Sequence, residues 1–183
     1  MLEISYLQML LCITAVWVLI RLIAAVRSRH FSLKREFMLL LVYVCIIVIA
    51  RLVYFGLHHV NGRIDTLKIG PSAISADKIS LIPFYFLFDR YGGWLLNIIG
   101  NIAMFIPVGI VWPACFRKLD SIPKVVLAGA GFSLLIEVTQ LVCLDRHSDV
   151  DDLLLNTCGA ALGACIYFGV RRLCRKKQSE KKP

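Results

Sequence analysis

Five runs of about 20 apolar residues, each closed off by charged or turn-forming residues, constrain this chain more than any motif within it. Hydrocarbon holds no water to satisfy backbone N–H and C=O groups, so a run of that length crosses a bilayer as a helix. The runs lie at 5–26, 37–57, 94–113, 123–144 and 151–170, and the connections are short except for 58–93. Composition agrees. Of 183 residues, 58% are hydrophobic and 18% charged, and mean hydropathy is +0.74, a balance that excludes a soluble enzyme. The expected fold is all-α: one domain over 1–183, a polytopic bundle of five transmembrane helices.

A formal net charge of +9 would suit a nucleic-acid binder, but the surplus flanks the apolar runs, where lysine and arginine set orientation. Nucleic acid is therefore excluded as a partner, and membrane lipid is expected. Arg27, Arg29, Lys34 and Arg35 precede span two; Arg117, Lys118 and Lys124 join spans three and four; seven more lysines and arginines lie in the tail 171–183. These segments are expected in the cytoplasm. On the other side Arg63, Lys68, Lys78, Arg90 and Arg146 are matched by Asp65, Asp77, Asp89, Asp145, Asp149, Asp151 and Asp152. The N-terminus is thus expected outside and the C-terminus inside. The first run lacks a preceding basic region and a cleavage pattern, so it is expected to stay in the mature protein. The seven cysteines lack paired metal-ligand spacing and read as small apolar fillers.

Within the long loop, SLIPFYFLF at 80–88, followed by Tyr91 and Trp94, is too short to cross and is rich in residues that settle at head groups. It is expected to lie at the interface or to re-enter at Pro83. Two roles fit: an aromatic belt that positions span three, or a lid over a site.

Polar side chains inside the spans are costly, so each is a functional candidate by default. Asn97 and Asn101 lie one turn apart on span three, the deeper about 10 Å in. Glu137 and Gln140 share a face of span four, Glu137 about 10 Å below Leu144. Asp151 and Asp152 open span five, with Asn156 about 6 Å beyond Asp152 on one face. Arg51 lies about 9 Å below the end of span two. Four helices thus place polar groups in the outer third, beneath the loop that carries Arg146, His147 and Asp149.

Each has a plainer role as well. The asparagines can hydrogen-bond between helices, the aspartates can cap span five, and Arg51 can snorkel or neutralise Glu137. Arg21, near the cytoplasmic end of span one, reads as an anchor. Glu137 is the hardest to explain structurally, because a carboxylate at that depth needs a cation, an ion or a proton. Small residues at Gly159 and Gly163 on span five, and at Ala128–Gly131 and Ser133 on span four, predict that spans four and five pack as a close antiparallel hairpin.

At LIPF (81–84), NIIGNIAMFIPVG (97–109), EVTQ (137–140) and RHSDVDDLLLNTCGAALG (146–163) the sequence resembles the VanZ-like family of bacterial membrane proteins. The ordered set covers most of the chain from 80 onward, with Ser80 where the family's loop motif often has asparagine. The resemblance implies a multi-pass protein of the cytoplasmic membrane of Gram-positive type bacteria, associated in some members with reduced sensitivity to teicoplanin. It also implies roles for Asn97, Asn101, Pro107, Glu137, Gln140, Arg146, Asp149, Asp152, Asn156 and Gly159.

Two functions fit these residues. An enzyme acting at the outer leaflet on a lipid-linked cell-wall intermediate would use Glu137 as base or metal ligand. Asp149 and Asp152 would bind a divalent cation or orient a group, Arg146 would clamp a phosphate or carboxylate, and Asn97, Asn101, Gln140, Asn156 and Arg51 would bind substrate. Carboxylates and amides suit magnesium or calcium, but their spacing matches no established cation loop. Alternatively, a binding protein would hold the polar head of an envelope lipid or lipoglycopeptide without breaking a bond. A proton-coupled transporter ranks last, because the inner half of the bundle is apolar and offers no pathway.

Overall fold

The computed structural model describes residues 1–28, 32–55, 59–60, 63–64, 66–70, 75, 78–84 and 93–180. Five helices, each long and apolar enough to span a membrane, occupy Tyr6–Ser28 (α1), Leu33–Phe55 (α2), Trp94–Cys115 (α3), Ile122–Gln140 (α4) and Val150–Glu180 (α5). Every expected span is present, with shifted ends. The second helix begins four residues before the expected 37. The fourth stops at Gln140 rather than 144, because Leu141 and Val142 turn the chain and Cys143 bridges to Ile69. The fifth does not end at 170: its basic stretch continues the helix to Glu180. Of the interfacial segment, 80–84 is described as an extended stretch and a turn at Pro83–Phe84, while 85–92 lies outside the described residues.

Helix ends follow local chemistry. Ser5 Oγ accepts the Gln8 N–H at 3.3 Å while Gln8 Oε1 accepts the Ser5 N–H at 2.8 Å, a reciprocal cap that starts α1. Pro123 sits in the first turn of α4, where no donor is needed.

The chain forms two compact units. The first comprises 1–79 and 138–148. Here β1 (Leu2–Ile4) pairs antiparallel with β4 (Leu67–Ile69), Leu2 opposite Ile69, and β2 (His59–Val60) pairs with β3 (Arg63–Ile64). Such short strands carry no readable period, and none was expected. Phe55, Leu67 and Cys143 form a small core beneath Tyr6, Met9, Tyr54 and Ile69. Two polar contacts join α1 to α2: Thr14 and Tyr43 hydroxyls at 2.7 Å, and Arg21 Nε donating to Glu36 Oε2 at 2.9 Å. Arg21 is therefore held by an ion pair and is more than an anchor.

The second unit comprises 80–137 and 149–183. Its centre is the contact of α3 with α5, which run parallel. Gly159 faces the Ile102 carbonyl, Gly163 faces Ile106 and Gly109, and Gly109 in turn faces Ala160 and Ala164. The small-residue step on α5 therefore seats α3. That step was expected to hold α4 in a close hairpin; α4 instead approaches α5 at few points, Gly129 against Ala160 and Ser133 against Asn156, while Gly131 faces open space. Phe105, Val108, Val125, Ala160 and Ala164 are fully buried, and Phe132 stacks between Phe105 and Trp112 at 5.8 and 5.3 Å.

Candidate functional site

The parallel run of α3 and α5 brings their first turns to one end of the second unit, and the antiparallel α4 delivers its last turn there. Asp149 stands just before α5, and its Oδ1 accepts the Asp151 N–H at 2.9 Å, capping the helix. Its own N–H donates to Glu137 Oε2 at 2.9 Å, so the buried Glu137 carboxylate fastens the start of α5. Asp151, also buried, accepts the Phe84 N–H at 2.6 Å. That bond holds Phe84 at φ 63, a conformation that a bulky residue adopts only under constraint. Burial, followed by the repulsion of Asp151, pushes the Asp149 carboxyl above the usual aspartate range, against the opposing bonds from the Asp151 N–H and the Ser80 hydroxyl.

Asp152 is bound differently. Its partners are side-chain amides: Asn101 Nδ2 donates to Asp152 Oδ1 and also to Asn97 Oδ1 at 3.3 Å, and Asn97 bonds Asp152 as well. Asn101 is buried, Asp152 half-buried and Asn97 exposed, so the trio leads from the interior to the surface. One turn deeper on α5, Asn156 Nδ2 donates to Ser133 Oγ at 2.9 Å. With Asn156 only 2% exposed, its Oδ1 is buried without a partner among the described residues. An acceptor left in that state costs about 1–3 kcal/mol, so a donor of some kind suits the position.

Six of the nine expected site residues therefore meet in the second unit: Asn97, Asn101, Glu137, Asp149, Asp152 and Asn156. Arg51, Gln140 and Arg146 belong to the first. There the Arg51 guanidinium lies over the Tyr6 ring, 5.4 Å from its centre. Arg146 Nη2 donates at 2.7 Å to the Tyr54 carbonyl in the last turn of α2, as a basic side chain does at a helix C-terminus. Gln140 is buried, and its Oε1 has no partner among the described residues. Of the two remaining residues that the family resemblance pointed to, Gly159 is buried against α3 and Pro107 faces outward from it.

Asp151, Ser133, Ser80 and Phe84 complete the site; none was among the nine expected site residues, although 80–88 was expected as a belt or a lid. Asp151 read as one cap among three, and Ser133 as a small residue. The signal for Ser133 was its position one turn before Glu137, on the helix already expected to pair with α5. Among the described residues no group of three or more His, Cys, Asp or Glu side chains is arranged to hold a metal ion.

What these features define is a multi-pass helical membrane protein with an acidic, amide-rich cluster where three of its helices end or begin. The chain belongs to the VanZ/LLP1 family, whose model matches residues 37–173. All of the quoted motifs lie inside that span, whereas α1 lies outside it. Searches of curated proteins and of solved structures returned no match.

Proposed function

We propose that this VanZ-like membrane protein captures, at the outer leaflet, the polar head of an amphiphile rich in N–H and O–H donors. The observation that carries this reading is an excess of acceptors. Glu137, Asp149, Asp151, Asp152 and the orphaned Asn156 Oδ1 gather at one end of the second unit, and the adjoining helix turns carry no lysine, arginine or histidine. Such a site repels phosphate and suits ammonium, amide and hydroxyl groups, while the apolar faces of the helices suit an acyl chain. Envelope glycolipids whose sugar heads are joined to the chain without phosphate, and lipidated glycopeptides, have this chemistry. The last of these connects the site to the reduced teicoplanin sensitivity associated with some VanZ-like proteins.

Purified protein in nanodiscs tests the reading. An amino- or hydroxyl-headed amphiphile should raise the melting temperature, by about 2.7 kcal/mol of stabilisation at a hundredfold excess over Kd. The same chain carrying a methyl-ester head should not. Equal effects of the two would remove head-group recognition.

A catalytic version rests on Asp152, which among the described residues is held by the side-chain amides of Asn97 and Asn101. A carboxylate held by two amides and reaching the surface can accept a proton from a bound hydroxyl or amine.

Outer-leaflet capture requires the N-out, C-in orientation that the basic segments favour. Single cysteines placed at Thr66 and Gln178 in a Cys-depleted background report it. A membrane-impermeant thiol reagent should label position 66 but not 178 in intact cells, and the reverse pattern would place the acidic cluster on the cytoplasmic side.

A further inference from the structure

The helix α5 runs for 31 residues, about 46 Å at 1.5 Å per residue, whereas a hydrocarbon core is about 30 Å thick. Its excess is not spread over both ends. Asp151 and Asp152 lie in the first turn, so the overhang is the stretch from Arg171 to Glu180, helical to its end and carrying Arg171, Arg172, Arg175, Lys176 and Lys177, all exposed. At 100° per residue, Arg171, Arg172, Arg175 and Lys176 fall within an arc of about 140°. They form a stripe.

The α3–α5 contact fixes what stands beside this stripe. Gly109 packs at the level of Gly163 and Ala164, and the two helices advance in the same direction, so the end of α3 at Cys115 is level with roughly Val170. Arg117 and Lys118, exposed in the turn after α3, are therefore level with Arg171 and Arg172. Lys124 is engaged by Asp120 at 2.7 Å, but none of the other seven cations enters an ion pair among the described residues.

We propose that this end of the second unit is a docking surface for anionic phospholipid head groups. The charges form two tiers. Arg117, Lys118, Arg171 and Arg172 lie at the hydrocarbon boundary, and Arg175, Lys176 and Lys177 lie about 6–9 Å beyond it. The head-group layer on each side is about 5–8 Å deep and the Debye length in physiological salt is about 8 Å. Both tiers are thus within reach of lipid phosphates, and long arginine and lysine arms shorten the distance further. Solvation alone would need only the first tier, as any positively flanked span has. The rigid second tier at phosphate depth is what selects negative lipid, because cations within a Debye length of an anionic surface are drawn to it. This reading does not depend on the acidic cluster at the opposite end.

The test reconstitutes the full chain in vesicles of equal parts phosphatidylcholine and phosphatidylglycerol and follows spin-labelled versions of each lipid in the protein's boundary layer. The wild type should favour phosphatidylglycerol by at least about threefold at low salt, and the preference should collapse at high salt. Arg175→Gln, Lys176→Gln and Lys177→Gln combined should bring it close to the value left by the first tier, while Arg175→Lys should keep it. All three positions are exposed, so an unchanged melting temperature is expected and confirms that the fold is intact. Parity in the wild type, or a preference indifferent to the triple change, overturns the proposal. A short DNA duplex that binds the wild type in phosphatidylcholine vesicles, and fails to bind the triple variant, would assign the surface to nucleic acid and overturn it as well.

Discussion

Asp152→Asn should weaken capture of a donor-rich head group by about 10- to 100-fold while leaving the melting temperature nearly unchanged. The magnitude follows from losing the charge on one hydrogen-bonding partner, a difference of about 1.5–3 kcal/mol when the partner is ionised and shielded from water. Fold integrity is expected because the substituted side chain keeps a carbonyl oxygen for Asn101 Nδ2, and no backbone group depends on Asp152 among its known bonds. Glu137→Gln is the informative comparison. Glu137 accepts the Asp149 N–H, so glutamine retains that bond and should alter affinity far less than the change at Asp152. Titration of an amino-headed amphiphile into nanodiscs measures both. If Asp152→Asn binds normally but a bound substrate is no longer converted, the residue is an acid or base; if neither quantity moves, the site is not centred on Asp152.

The same pair of residues shows what could be read before any coordinates. The spans were legible because hydrocarbon penalises unpaired backbone groups so heavily that length and polarity suffice. Glu137, Asn101 and Asn156 stood out for the same reason, and all three are buried polar groups of the second unit. What could not be read was partnership. Asp149 and Asp151 both looked like caps. Asp149 caps α5, while Asp151 reaches to Phe84, a bond that depends on a turn with no sequence signature. Arg51 and Arg146 carried charge suited to a substrate, and sequence could not reveal that one lies over the Tyr6 ring and the other donates to the Tyr54 carbonyl. The α5 overhang was missed because arginine and lysine are read as a membrane stop, although both are good helix formers that continue a helix in water. The GxxxG step announced a close approach, but the small residues of span four made that span the expected partner, whereas the helix that fills the step is α3.

That last ambiguity leads to the largest stability effect. Gly159→Ala and Gly163→Ala should each destabilise the chain by at least about 2–3 kcal/mol, lowering the melting temperature by about 5–10 °C. A methyl at Gly159 would overlap the Ile102 carbonyl oxygen and press on Phe105; at Gly163 it would meet the Ile106 carbonyl oxygen and the Gly109 backbone. These are backbone atoms of a hydrogen-bonded helix, so no rotamer change relieves the overlap and α3 must move as a body. Gly131→Ala supplies the control, since nothing lies within 4 Å of a Cβ there and alanine is the better helix former by about 1 kcal/mol. It should melt at or slightly above the wild type. Thermal melts in one detergent, with gel filtration to confirm dispersity, decide the matter. The consequence extends to the site, because Asn101 precedes Ile102 and Asp152 lies two turns before Gly159. Displacing α3 draws the Asn101 amide away from the Asp152 carboxylate, so Gly159→Ala should lose head-group affinity along with stability. Asp152→Asn should lose affinity alone. If Gly159→Ala melted with the wild type, α3 would not be seated on α5, and the placement of Asn97 and Asn101 around Asp152 would fall with it.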